Sequence, residues 1–330
     1  MKLLKRSAGL VAIMLMSFSL AAQSPAPSLL RIDVTNHTIY VYDTDQSRWA
    51  TTPSKLTRGQ PKVFESWLAI GDIVSINGSP VKGTVFEHSL TVTSSLNLTP
   101  GQAIADVARG GLYEWNLDVL QADGTPLGLI RISGLSGGPP PPDAPKTVPR
   151  ANYTVTGGTS VFTGAHGYYF ADIDPLNNVR VTSIAEDPAY RRVNGGGTLH
   201  LTLYLVPATP AQVVALYHTD FSLVTRSNPA RPGQTIIARA TGLGPVRPAV
   251  DPGQPFPKDQ EVIVGSPVTL MVNDQPVDTL KAVGWPGTAD NYGVYFPVPG
   301  GTPAGAGTVR LGVAWMWGPA SEIPFGTEPR

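Results

Sequence analysis

Asp43 and Asp45 are the first pair of groups in the chain whose spacing suits acid–base chemistry. They end the run Thr38-Ile39-Tyr40-Val41-Tyr42-Asp43-Thr44-Asp45, which is dense in β-forming residues and reads as a strand. Side chains alternate along a strand, so Ile39, Val41, Asp43 and Asp45 share one face, and Tyr40 and Tyr42 the other. Two placements follow. At a solvent-facing strand end both are ordinary surface aspartates. On the inner wall of a barrel they share an apolar space, where desolvation and mutual repulsion raise at least one pKa. A carboxyl that holds its proton there could donate it to an oxygen of a bound ligand, or polarise that oxygen.

His166 lies in a glycine-rich stretch, Val155 to Tyr169. Gly157 and Gly158 are expected to form a tight turn with positive φ, and Val161 and Phe162 to open the next strand. Gly164 and Gly167, inside that strand, suit a sharp bend or a close backbone approach. His166 is either a structural histidine at a barrel mouth or a proton-handling group. His37, His88, His166, His200 and His218 show no metal-ligand spacing, so no metal site and no cofactor is expected. Gly134-Leu135-Ser136-Gly137-Gly138 fits G-x-S-x-G, but a nucleophile elbow needs a strand before it and a helix after it. Four prolines follow here, so the segment is read as a loop. Trp285, Trp315 and Trp317 are either a sugar-stacking platform or sandwich core.

The elements that must position these groups are strands. The chain has 330 residues, enough for about two domains, with 42% hydrophobic residues, 35 Gly and 33 Pro. Long amphipathic helical patterns are scarce. Tyr113, Trp115, Leu117 and Val119 alternate with polar residues as in a half-buried strand, and Asp123-Gly124 supplies hairpin chemistry before Leu127 to Ile132. Leu199, Leu201, Leu203 and Leu205 form the cleanest two-residue period in the chain. Pro207 to Pro210 reads as a linker, followed by strands at Thr235–Ala240, Val268–Val272, Tyr292–Val298 and Val309–Trp317. The expected organisation is a signal peptide over 1–22, a barrel over 28–206, a linker over 207–212 and a β-sandwich over 213–327.

The signal reading rests on Lys2, Lys5 and Arg6, an apolar stretch from Ser7 to Leu20, and small residues at Ser19, Ala21 and Ala22. It predicts export to a periplasmic or extracellular location, and no later segment has the length and apolarity to span a membrane. Net charge is zero with no basic stripe, which argues against a nucleic-acid partner. No cysteine is present, so disulfides and thiol chemistry are excluded.

Val155 to Gly167 resembles the GGTG-x-F-x-x-A-x-G signature of dirigent proteins and the related segment of allene oxide cyclases. Ile70-Gly71-Asp72-Ile73-Val74 resembles the Leu-Gly-Asp-Leu-Val of the cyclases. Asp43 and Asp45 stand where that family has an acid and an asparagine, and Thr52-Pro53 where it has Ser-Pro. The resemblance spans roughly Thr38 to Val206. It implies an eight-stranded antiparallel allene-oxide-cyclase/dirigent-like barrel that binds a small apolar, oxygen-bearing molecule without a cofactor, and by analogy a homotrimer. It implies catalytic roles for Asp43 and Asp45 and ligand contact by Thr52, Pro53 and His166. Gly157, Gly158, Phe162, Gly164 and Gly167 are its structural signature. The acid is one methylene shorter here, an acid replaces the asparagine, and Thr163 and His166 stand where the dirigent signature has arginine nearby.

Ser227 to Gly233, Ala240 to Pro245, Asp290 to Pro299 and Pro303-Ala304-Gly305 resemble an immunoglobulin-like C-terminal domain of exported bacterial proteins, over about Val213 to Phe325. That resemblance implies a sandwich and no activity. Two functions therefore compete. One is a small-molecule barrel that binds an apolar, oxygen-bearing ligand, with or without cofactor-free isomerisation or cyclisation of it. The other is a non-enzymatic exported or surface protein whose two domains serve attachment.

Overall fold

The computed structural model describes residues 27–41, 64–92, 110–136, 151–171 and 178–327. The expected signal peptide, Asp43, Asp45, Thr52, Pro53 and the four prolines at 139–142 lie outside the described residues. The described protein is all-β.

Nine strands form the first sheet: β1 (Ser28–Val41), β2 (Phe64–Ile76), β3 (Ser79–Val92), β4 (Gly110–Gln121), β5 (Pro126–Ser136), β6 (Ala151–Gly158), β7 (His166–Ala171), β8 (Arg180–Ser183) and β9 (Gly197–Val206). Their order is β2-β3-β4-β5-β6-β7-β9-β1-β8, and β1 also pairs with β2. That pairing closes eight strands into an antiparallel barrel, leaving β8 as a parallel addition to β1. Closure removes the free sheet edges. β9 runs beside β1 only as far as His37, and β8 takes over from Thr38.

The alternating leucines of β9 all face inward and are buried. They meet Leu30, Ile32 and Val34 of β1 on one side and Tyr169 of β7 on the other. The Asp123-Gly124 hairpin forms as expected, with Gln121 N donating to Thr125 O at 2.8 Å.

Antiparallel order places Val41, Phe64, Val92, Gly110, Ser136 and Ala151 at one end of the barrel. The opposite end has short turns, and Phe162 is fully buried there. The second set of sheets also meets the barrel at this end. Trp317 N donates to Ser28 Oγ at 2.8 Å, and Gln121 Nε2 donates to Gly265 O at 2.8 Å.

The glycine stretch departs from expectation. Gly157 and Gly158 do not form a tight turn. They end β6 at a bulge, where Arg131 pairs with Gly157 but Ile132 with Val155, and Gly157 has φ +151. Val161 and Phe162 belong to a 3-10 turn, Ser160–Phe162, and not to a strand. Phe162 plugs the barrel, and a Cβ on Gly158 would sit 2.6 Å from the Phe162 Cβ. Gly167 has the expected close approach, since a Cβ there would overlap the Tyr204 carbonyl oxygen. Gly134 and Ser136 are strand residues of β5 paired with β6, not a loop.

The remaining strands are β10 (Gln212–His218), β11 (Thr235–Thr241), β12 (Val246–Arg247), β13 (Ile263–Val264), β14 (Val268–Val272), β15 (Gln275–Val277), β16 (Lys281–Gly284), β17 (Tyr292–Pro297), β18 (Gly305–Val313) and β19 (Met316–Phe325). They make a six-stranded sheet, β10-β11-β17-β16-β13-β12, and a four-stranded sheet, β15-β14-β18-β19. Ile236, Val294 and Phe296 of one sheet and Leu270, Leu311 and Ile323 of the other are buried in a common core. The expected single strand Val309–Trp317 is a hairpin instead. It reverses at Ala314 and Trp315, both with positive φ.

Candidate functional site: a buried acid and imidazole in the barrel

The site starts from a bulge in β1. Val34 pairs with Ile73 and Ile39 with Ala69, so β1 carries one residue more than β2 between the two pairs. The excess is absorbed at Asn36, which adopts φ +52, a conformation that asparagine tolerates better than most residues. Val34 and Ile39 therefore both face inward, and His37 between them also points into the barrel. Gly71 makes the room: a Cβ there would lie 2.5 Å from Val34 Cγ1 and 3.2 Å from His37 Cδ2.

Glu87 arrives from β3. It pairs with Ala69 on one side and Trp115 on the other, so it shares their inward face. Its carboxyl Oε2 is 3.6 Å from His37 Nε2, and each residue is only 2% exposed. Burial pushes the Glu87 carboxyl well above the usual carboxylate range. Burial also lowers the His37 imidazole, to about 4. Desolvation thus favours the uncharged form of both, a carboxylic acid facing a neutral imidazole. At 3.6 Å the contact is too long for a good hydrogen bond. Both His37 ring nitrogens and Trp115 Nε1 are buried without a hydrogen-bond partner among the described residues.

Aromatic rings continue this wall toward the end where β2 and β4 begin. Tyr113 packs edge-on against Trp67 and Tyr153, with centroids 5.6 and 5.4 Å apart. Tyr169 lies 5.3 Å from Tyr153 and 4.9 Å from Trp115. Leu30, Ile32, Ile76, Leu117, Val119, Ile130 and Phe162 fill the other end. The interior is therefore apolar below, aromatic above and polar at Glu87, His37 and Trp115 between.

Outside the barrel, Asp72 points away from this inward-facing wall. It accepts hydrogen bonds from Asn36 (2.9 Å), Arg191 (2.5 Å) and Arg192 (2.7 and 2.6 Å). Burial works to raise its pKa, but the bonds from Arg192, Asn36 and Arg191 outweigh that and hold it below the ordinary value. The same Asn36 that makes the bulge thus ties β1 to the 3-10 segment Pro188–Arg192. This segment and β8 cover Tyr40, which is on the outward face yet only 1% exposed.

The sequence candidates fall differently. Ile39 is on the inward face; Asp43 and Asp45 lie outside the described residues. His166 is exposed, has the outward parity of Tyr168, and starts β7 at the plugged end. The structure does not bring it to Glu87 and His37. Thr52 and Pro53 lie outside the described residues. Glu87 was not legible as a site residue because β3 is inverted in polarity. Its outward residues Phe86 and Leu90 are each 40% exposed, while Glu87 and Ser89 are buried. The usable signal was upstream, where Val81, Gly83 and Val85 set the inward parity that Glu87 inherits.

No protein-family profile matches the chain, and no curated protein does. A solved polysaccharide lyase aligns over 92% of this chain and 40% of its own length, at 8% identity and a TM-score of 0.19.

Proposed function

We propose that this is an exported protein whose N-terminal barrel is of the allene-oxide-cyclase/dirigent-like kind and binds a small, uncharged, apolar molecule bearing an oxygen. The observation that carries the reading is the buried pair Glu87 and His37, with Trp115 Nε1 beside them unpartnered. A buried donor without a partner costs on the order of 1–3 kcal/mol, so a barrel serving only as a scaffold would be better filled with aliphatic side chains. A guest oxygen would accept from the Glu87 hydroxyl and from Trp115 Nε1–H. Neither donor brings a charge into the apolar space, so an uncharged guest is favoured over a carboxylate. Asp43 and Asp45, which share the sequence parity of Ile39, are candidates for the same acid–base chemistry. In an isomerase or cyclase, Glu87 would supply the proton and His37 would take one up, with no cofactor. In a dirigent-like role the same wall would hold the guest without reacting with it. The second half would be an immunoglobulin-like accessory sandwich.

The tight aliphatic packing around Phe162 favours a second reading, a non-enzymatic surface protein with a closed barrel. Incubating the full-length protein with a lipid extract, then identifying retained molecules by native mass spectrometry, separates the two. The binding reading expects a retained apolar oxygenated molecule, lost in Glu87→Leu. Identical empty spectra for both proteins would leave the surface reading.

A further inference from the structure

The six-stranded sheet turns one face to the sandwich core and the other outward, and the outward face is not polar as a solvated antiparallel face usually is. Register sets Tyr217, Ile237, Tyr295 and Lys281 in one row across β10, β11, β17 and β16. Ile237 is 1% exposed although it points away from the core. Trp285 covers this face. Its ring packs against Tyr217 at 5.7 Å and Phe221 at 5.9 Å, and the Arg239 guanidinium carbon lies 5.4 Å from its centroid. Lys281 Nζ stands 4.8 Å from the Tyr295 ring in the same way. Phe221, 58% exposed, is held at φ +64 by the tight turn in which His218 N donates to Ser222 O. A left-handed, exposed phenylalanine is strained backbone that places a large ring at an edge.

These rings floor a concave depression of about 560 Å³, rimmed by Lys258, Asp259, Gln260 and Glu261. We infer that this depression is a carbohydrate-binding site for a neutral pyranose chain, a second site independent of the barrel. A pyranose has an apolar C–H face and a hydroxyl edge. The Trp285 and Tyr295 rings, which both line the depression, supply apolar aromatic surface for the first. The amide of Gln260, the carboxylates of Asp259 and Glu261, and the ammonium of Lys258 supply donors and acceptors for the second. Charge selects a neutral ligand. Lys281 is paired with Glu261 at 2.7 Å, Arg239 donates to the neutral Asn291 Oδ1 at 3.0 Å, and Asp259 follows Lys258 in the chain, so carboxylates stand among the cations. Among the described residues of this rim the carboxylates of Asp259 and Glu261 disfavour an acidic sugar or a phosphate.

Isothermal titration of the full chain with cellohexaose, chitohexaose and hexagalacturonate tests this. The neutral hexaoses should bind with dissociation constants between about 10 μM and 1 mM, and hexagalacturonate at least about tenfold more weakly. Trp285→Ala should weaken binding at least about tenfold, and Trp285→Phe less. Phe221→Ala and Lys258→Gln, both at exposed positions, serve as second variants if Trp285→Ala does not fold, and each should weaken binding about threefold or more. The inference is overturned if neither neutral hexaose binds at about 5 mM, if the anionic probe binds best, or if folded variants bind as the wild type does.

Discussion

Glu87 and His37 approach to 3.6 Å inside the barrel, and burial drives their proton affinities in opposite directions. The acid holds its proton more tightly and the imidazole less tightly than in water. The two shifts share one cause, removal of water, and they make the pair asymmetric: one proton, on the carboxyl. The asymmetry originates in β1 and β2, where the Asn36 bulge turns His37 inward and Gly71 leaves it space.

Glu87 makes stability fall as pH rises. Its folded pKa is raised above the unfolded 4.5, so its contribution is complete below pH 4.5 and is lost as pH climbs toward the folded value. Glu87→Gln keeps the shape and hydrogen-bonding capacity of the neutral acid but cannot ionise. The variant should match wild type at pH 4. It should gain on wild type by up to about 1.4 kcal/mol per pH unit above 4.5, until the folded pKa is reached. Urea unfolding at pH 4, 6 and 8 measures this. A variant less stable than wild type at pH 8 would mean that Glu87 is ionised there and paired with a protonated His37.

His37 acts on the acid side. Its folded pKa of about 4 lies below the unfolded 6.5, so the stability tied to its neutral form is present above pH 6.5 and is lost as pH falls toward 4. The full loss is about 3 kcal/mol. Imidazole nitrogen shifts followed by NMR from pH 8 to 4 should show His37 still neutral at pH 5.5. A His37 midpoint near 6.5 would overturn the assignment.

Sequence periodicity read the barrel well where strands are regular and poorly where they bulge or invert. The leucines of β9 and the Tyr113–Val119 alternation face as their pattern requires, because burial on one side alone leaves a two-residue period. The glycine stretch was legible as special but not as a bulge, since Gly157-Gly158 fits a turn and a strand bulge equally well. The Asn36 bulge has no hydrophobic signature at all. Glu87 was hidden because β3 carries its larger apolar side chains, Phe86 and Leu90, outward. Trp285 was visible as a residue, but its role depends on which sheet face it covers, and that is set by pairing between strands far apart in sequence.

Asp72 holds the outer cover of the barrel in place. Asp72→Asn removes the charge that Arg191 and Arg192 share, and leaves the buried Arg191 without its carboxylate. Stability should drop by about 2–3 kcal/mol at neutral pH. In the wild type the same contribution, tied to a carboxyl held below 3.8, should be present above that pH and lost as pH falls through the folded value. Hydrogen exchange should speed up in Arg180–Ser183 and around Tyr40 before it does in β4 or β9. Uniform acceleration over the whole barrel would argue that the segment is not a separable cover.

Gly71 tests whether the inward His37 depends on a missing side chain. Alanine is the smallest possible addition, and β2 has ordinary extended backbone there, so no φ penalty confounds the substitution. Its Cβ would lie 2.5 Å from Val34 Cγ1 and 3.2 Å from His37 Cδ2, with His37 Cα at 3.4 Å. Val34 is buried and β-branched, so it cannot rotate away freely, and the displacement falls on the bulged backbone that carries His37. Gly71→Ala should cost about 1–3 kcal/mol, the range for overpacking a filled core. Because the clash pushes His37 away from its buried position, the imidazole should regain water and its pKa should move back up toward 6.5. A variant that loses stability while the His37 pKa stays near 4 would show that the strain is taken up by Val34 alone, and that Gly71 does not position the imidazole.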